Sequence, residues 1–177
     1  MKAIVIYRSK SGFARRYAEW IAAELKANLF EAAKVTPALW ESYDTVIYGG
    51  GLYAVGINGI ELIKRNLDKL QGKKVIVFAT GASHVREAVI SEVRDKNFTP
   101  EQQQQIRFFY LRGGFAYHKL RPLDKVLMNL MKWRLKRKKR LTPDERGMLA
   151  AYDQPADFTD RRNITELVTY AKTAPPL

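Results

Sequence analysis

Ser9, Ser11 and Gly12 stand where a short apolar run, Ala3–Tyr7, gives way to a helical pattern, with Arg8 and Lys10 set among them. Two hydroxyls, two cations and a glycine at a strand-to-helix junction suit an anion. The first turn of a helix has unpaired N–H groups and a partial positive charge. Short hydroxyls add donors that fit around phosphate oxygens, and glycine lets the backbone approach closely. The bland reading of the same stretch is a polar turn with a helix cap. The spacing matches neither the GxxxxGK[ST] loop of nucleoside triphosphatases nor the GxGxxG dinucleotide loop.

Two further segments end a strand in glycine. Gly49, Gly50 and Gly51 close the run "YDTVIYGGG" and lead into Leu52 and Tyr53. Thr80, Gly81, Ala82 and Ser83 close "KKVIVFATG" and follow it. Each reads either as a plain turn or as a backbone loop against a ligand, with Tyr53 offering a flat apolar face. His84 reads as a helix-start residue. His118, beside Tyr117, reads as a surface histidine that could face a substrate. No acid–base pair or nucleophile stands out.

These loops need elements to hold them. The apolar runs predict five strands: 3–7, a weak one over Phe30–Val35, and those ending at Gly51, Gly81 and Gly113. Helical spacing predicts Phe13–Lys26, Asn58–Leu70, Val85–Asp95 and a last helix from about Asp160 to Lys172. Thr99 and Pro100 open a short helix, since Thr accepts from the first turn and Pro suits the first helical position. Thr142 to Glu145 carries a capping box. Alternating strands and helices with continuously apolar strands mean a parallel sheet covered on both faces. In such sheets ligands bind beyond the strand carboxyl ends, where strand order reverses.

The 177 residues suffice for one domain over 1–177, and 46% hydrophobic residues make disorder a poor account. The absence of cysteine excludes disulfides, thiolate chemistry and Cys-ligated metal clusters. The two histidines form no metal-ligand pattern, so no metal is expected. The chain enters a strand directly, without a charged and apolar leader, and a cytoplasmic protein is expected. Val46 to Ile63 is long and nearly uncharged, but its five glycines favour strand, loop and helix start over a membrane span.

The formal charge of +13 implies acidic company: nucleic acid, anionic lipid or an acidic protein. Between Lys119 and Arg146 lie eleven Lys or Arg against three Asp or Glu, a net of +8, so the excess belongs mainly to one segment. There Leu123, Val126, Leu127, Leu130 and Met131 recur at helical spacing, with Met128, Trp133 and Leu135 widening the apolar side. "KWRLKRKKR", Lys132 to Arg140, follows with seven cations in nine residues. It reads either as a helix packed on the domain with a solvated charge run, or as a surface for an anionic membrane or acidic partner. No nucleic-acid module or aromatic stacking set accompanies the charge, so nucleic acid is not the expected partner.

The sequence resembles the flavodoxin family, and within it the subgroup related to menaquinone-dependent protoporphyrinogen oxidase. Ser9-Lys10-Ser11-Gly12-Phe13-Ala14 resembles the family's phosphate loop, with Ala14 in place of its third hydroxyl. "YDTVIYGGGLYAVG" and "FATGAS" resemble its two flavin-ring loops, and "FFYLRGGFAYHKL" with the basic insert resembles the oxidase-like subgroup. The resemblance implies a flavodoxin-like three-layer α/β sandwich with a five-stranded parallel sheet and an added basic helical insert at about 119–151. It implies FMN, with the phosphate at Ser9, Lys10, Ser11, Gly12, Phe13 and Ala14. The isoalloxazine would lie against Gly49, Gly50, Gly51, Leu52 and Tyr53, and its pyrimidine edge against Thr80, Gly81, Ala82 and Ser83. It further implies electron transfer or FMN-dependent oxidoreduction, with a redox protein or quinone as partner. Two other readings stand beside it. One is a quinone-linked dehydrogenase, peripheral at the membrane through Lys132–Arg140. The other is a flavodoxin-like binding module that has lost FMN, a reading that Ala14 favours.

Overall fold

The computed structural model describes residues 2–53, 55–115, 122–138, 140–142, 145–147, 149, 152 and 156–173. Tyr117 and His118 lie outside the described residues.

Five strands form one parallel sheet: β1 (Ala3–Arg8), β2 (Asn28–Glu31), β3 (Thr45–Tyr53), β5 (Lys74–Gly81) and β6 (Ile106–Arg112), in the order β2-β1-β3-β5-β6. A short β4 (Gly56–Ile57) folds back antiparallel on β3. This is the flavodoxin-like α/β arrangement, with the order reversal between β1 and β3. Each central strand sends alternate side chains to opposite faces. Ile4, Ile6, Val46, Tyr48, Val75 and Val77 enter one core with Trp40, Ile63, Val93 and Phe98. Val5, Ile47, Ile76 and Phe78 enter the other. There they meet α1 (Phe13–Leu25) and the C-terminal helix α6 (Thr165–Lys172) through Tyr17, Ile21, Leu167 and Ala171. Both faces are covered, which is why the strands read as unbroken apolar runs.

Three expected elements differ from those observed. The ladder from β1 to β2 ends at Tyr7 opposite Glu31, where β2 gives way to a 3-10 segment at Ala32–Lys34. The predicted strand over Phe30–Val35 is thus shorter and earlier. The predicted helix over Asn58–Leu70 is broken into α2 (Glu61–Lys64) and a 3-10 turn at Leu67–Leu70. Asn66 interrupts it, its side-chain Nδ2 donating to Leu62 O at 2.8 Å. The predicted helix over Val85–Asp95 is α3 (Glu87–Asn97). The caps agree with expectation. Thr99 opens α4 (Pro100–Gln105) with a reciprocal box to Gln102. Thr142 Oγ1 accepts from Glu145 N at 3.2 Å, and Glu145 Oε2 accepts from Thr142 N at 2.8 Å.

After β6 the chain leaves the sheet through β7 (Gly114–Phe115), which pairs antiparallel with β8 (Ala156–Asp157). Helix α5 (Pro122–Lys136) lies between these two strands in sequence. The predicted basic insert is therefore closed at its base by a two-stranded ribbon. The buried Lys74 ammonium donates to Tyr170 O and Thr173 Oγ1, capping the carboxyl end of α6 where a cation is favoured.

Candidate functional site

The loop Ser9–Gly12 joins β1 to the first turn of α1. Gly12 is the N-cap at φ 96°, a left-handed conformation that side chains rarely adopt. Its N–H donates to Ser9 Oγ at 3.0 Å, and its carbonyl accepts the first helical bond from Arg16 N at 3.0 Å. No side chain caps α1, and its first turn holds no acidic residue. The helix therefore presents its positive end to the loop without an internal counter-charge. Ser9 and Ser11 are half-buried, while Lys10 and Gly12 are exposed. Phe13 and Ala14 turn inward, and the Ala14 methyl is buried with Val5, Tyr17 and Ile47.

The glycine run Gly49–Gly51 is not a loop. All three residues are paired in β3, with Gly49 between Tyr7 and Phe78 and Gly50 between Arg8 and Ala79. Gly49 and Gly50 are engaged in a ladder on both sides, and Gly51 pairs with Thr80 of β5. Packing explains the glycines: a Cβ on Gly49 would lie 2.0 Å from Phe78 Cζ, and one on Gly50 2.7 Å from Ile57 Cγ2. The turn comes later, between Tyr53 and Gly56, which pair across the hairpin. Val55 sits in it at φ 64°, a conformation that a β-branched residue holds only under constraint.

Asn97, at the end of α3, supplies that constraint. Its Oδ1 accepts from Ile57 N at 2.8 Å, and its Nδ2 donates to Val55 O at 2.8 Å and Val93 O at 2.7 Å. The side chain is buried and its polar atoms are all engaged. Sequence reasoning missed it, because Asn at a helix end reads locally as a cap and its turn partners are about forty residues away.

Thr80 is buried, and Gly81, Ala82 and Ser83 are half-buried at the end of β5. Their carbonyls are held from β6. Gly113 N donates to Gly81 O at 2.8 Å, Arg112 Nε to Ala82 O at 3.4 Å, and Tyr110 Oη to Ser83 O at 3.1 Å. Arg112 also lies 3.3 Å from His84 Nε2 and stacks over the Phe158 ring at 3.7 Å. Tyr110, Arg112 and Phe158 were not among the predicted site residues. Their only sequence signal was a position at the end of an apolar strand or beyond the insert.

The three predicted segments meet at the carboxyl ends of β1, β3 and β5. Lys10 Nζ lies 4.6 Å from the centre of the Tyr53 ring. Leu52 closes on Gly81, where a Cβ would lie 3.1 Å from Leu52 Cδ1. A Cβ on Gly113 would sit 3.2 Å from Thr80 Cβ and 3.3 Å from Phe13 Cβ, so the first and third segments also touch one neighbour. An uncapped helix start, an aromatic face and a polar strand end thus line one rim of the sheet. A separate cleft of about 400 Å³ runs along β6, lined by Val85, Ile90, Arg94, Arg107, Phe109 and Arg112. It follows the sheet edge and reaches the rim at Tyr110 and Arg112.

The family whose description is Flavodoxin domain matches residues 4–142, well over half of the chain. An uncharacterized protein of Methanocaldococcus jannaschii is 34% identical over 100 residues, covering 54% of this chain and 65% of that one. The chain thus spans less than two thirds of that relative's length. Among solved structures, a flavodoxin from the domain Archaea aligns with 87% of this chain and 98% of its own, at 14% identity and a TM-score of 0.40. Oxidised flavodoxin 1 from Bacillus cereus aligns with 78% of this chain and 100% of its own, at 17% identity and a TM-score of 0.42. On the family match, which runs from β1 through α5, the chain belongs to the flavodoxin family.

Proposed function

We propose that this chain binds FMN at the rim formed by Ser9–Ala14, Leu52–Tyr53 and Thr80–Ser83, and serves as a flavin-dependent redox protein. What supports this most is the start of α1. It is uncapped, free of acids in its first turn, and reached through an exposed left-handed glycine flanked by two serines. Those features fit a phosphate dianion: N–H groups and hydroxyls donate, Gly12 gives access, and Lys10 adds charge. Bound flavin supplies one- and two-electron chemistry. The protein's part is to hold and screen it. Tyr53 provides a ring face, already carrying the Lys10 ammonium over it, and the Thr80–Ser83 turn is fixed by Tyr110 and Arg112. A redox protein or a quinone would exchange electrons with it.

The double substitution Ser9→Ala, Ser11→Ala tests the assignment. Hydrogen bonds to a charged group contribute about 1.5–3 kcal/mol each, so the pair should raise the FMN Kd by roughly two orders of magnitude or more. Titration followed by flavin fluorescence reads this directly. Parent protein that stays colourless and takes up no added FMN would leave the non-catalytic binding module as the account. Equal affinity of parent and variant would move the phosphate elsewhere.

A second reading is a quinone-linked dehydrogenase resembling menaquinone-dependent protoporphyrinogen oxidase. The basic insert favours it, since a quinone is reached at a membrane surface. Anaerobic turnover of protoporphyrinogen with a quinone separates it from a simple electron carrier.

A further inference from the structure

Among the described side chains of helix α5, the apolar residues divide between two sides. Val126 is 68% exposed, Leu130 59% and Trp133 51%, while Met131 and Leu135 are half-buried. At about 100° per residue, Val126, Leu130, Trp133 and Arg137 fall within an arc of about 60°, and Met131 and Leu135 lie on the opposite side. The exposed stripe is thus one coherent face of a fifteen-residue helix. On the same wheel Arg134 and Lys136 stand about 80° to either side of it. The Arg137 guanidinium stacks on the Trp133 ring at 3.8 Å. Beyond the helix, Arg140 is also exposed. Among the described residues no helix is long and apolar enough to cross a membrane.

We propose that α5 is a docking helix for an anionic lipid surface, lying in the interface plane with Val126, Leu130 and Trp133 immersed and Arg134, Lys136, Arg137 and Arg140 among the headgroup phosphates. Three features select this occupant. Arg134 stands on one side of the described exposed residues and Lys136 on the other, a pattern that suits a plane with apolar depth and charged headgroups at its edge. Trp at the margin of the stripe belongs at the headgroup level. A second copy of the chain is disfavoured as the cover, because the segment Lys119–Arg146 carries a net +8 and would meet itself. The insert is also anchored, so docking would hold the domain and not only a tail. The Lys132 ammonium lies over the Tyr152 ring at 4.9 Å, and Tyr152 packs on Phe115 of β7 with centroids 5.2 Å apart.

The test is co-sedimentation with vesicles of phosphatidylcholine alone and of phosphatidylcholine with phosphatidylglycerol, at low and high salt, with tryptophan emission recorded in parallel. The full chain should bind the anionic vesicles, ignore the neutral ones, and bind less at high salt. Each exposed cation near an anionic leaflet strengthens binding about fivefold, so Arg134→Gln, Lys136→Gln and Arg137→Gln together should weaken it about a hundredfold. Val126→Gln with Leu130→Gln changes exposed residues only and should weaken binding at least about tenfold. Emission should shift to the blue on vesicle addition, and Trp133→Phe should abolish the shift, because Trp40 is buried and Trp20 lies on α1. Failure to bind anionic vesicles at low salt overturns the proposal. So does binding that is unchanged by Val126→Gln with Leu130→Gln, which would mean that charge acts alone, as toward an acidic protein or nucleic acid. Self-association of the parent that the same two substitutions abolish would assign the stripe to a second copy instead. None of these outcomes depends on bound flavin.

Discussion

Replacing Asn97 with alanine should loosen the turn beside Tyr53 and lower the stability of the whole chain. The side chain makes three hydrogen bonds, two of them to the turn, at Ile57 N and Val55 O. Ile57 is buried, so its N–H cannot simply turn to water when Oδ1 is removed. A buried donor or acceptor left without a partner costs about 1–3 kcal/mol. Part of this is offset, because Val55, held at φ 64°, can relax once its carbonyl is released. Strain of that kind amounts to about 1–3 kcal/mol, and only a fraction would be recovered while β3 and β4 stay paired. The net loss should be about 2–3 kcal/mol, a fall in Tm of about 5–10 °C for a chain of this size. Differential scanning calorimetry measures it. The FMN titration should show weaker binding as well, because Tyr53 pairs directly with Gly56 across the turn. An unchanged Tm would refute the idea that Asn97 constrains Val55. A lower Tm with unaltered FMN affinity would detach the turn from the flavin site while leaving the structural argument intact.

Gly49→Ala should destabilise the chain by about 1–3 kcal/mol, since its methyl must displace the fully buried Phe78 ring. Phe78→Leu in the same chain should recover part of that loss, and urea unfolding of the four-member cycle should give a coupling of at least about 1 kcal/mol; simple additivity would mean that the ring moves aside freely. The Asp157 carboxylate is partly desolvated, which works against its charge. The Thr159 N–H and hydroxyl and the Arg16 guanidinium outweigh this and hold it below its ordinary value of 3.8. A depressed folded-state pKa means that the carboxylate stabilises the fold above the unfolded value and that this is lost as pH falls through the folded one. Melting temperatures taken from neutral pH down to strong acid should therefore fall more steeply below pH about 4 for the parent than for Asp157→Asn. At neutral pH that variant should be less stable by about 0.5–1 kcal/mol, a modest value because the side chain is 46% exposed. Parallel acid arms for the two proteins would remove Asp157 from the account.

The sheet was legible because its strands are buried on both faces. In "KVIVFATG" the alternating side chains Val75 and Val77 face one core while Ile76 and Phe78 face the other, and neither face could be polar. The Ser9–Gly12 loop was legible too, since hydroxyls, cations and glycine at a helix start have a local physical meaning. Non-local partners were not. Gly49 and Gly50 read as a turn by composition, yet they are glycines because Phe78 and Ile57 occupy the space beside them. Ala14 reads as a missing hydroxyl of the phosphate loop, whereas its methyl fills a place in the core beneath it. In α5, spacing found the helix but could not tell that Val126, Leu130 and Trp133 stay exposed while Met131 and Leu135 are half-buried.

The basic insert and the parallel sheet are separable for a reason visible at their junction. The chain departs after Gly113 and returns at Ala156, and β7 and β8 pair with each other across the gap. The two core clusters are assembled from the sheet and its covering helices, and among the described residues none of α5 belongs to either. A segment attached in this way can gain charge and exposed apolar area without altering the strands that hold the rim. What ties it down lies close to the Ser9–Gly12 loop. Arg16, in the first turn of α1, donates to Asp157 and Thr159, and Tyr17 Oη donates to Arg112 O at 2.6 Å while accepting from Asn163 Nδ2 at 2.8 Å. The helix whose uncapped start faces that loop is therefore also the post to which the insert is fastened. Flavin affinity and vesicle binding can change independently through Ser9 and Ser11 on one side and Val126 and Leu130 on the other. Substitution of Arg16 is where both should move together.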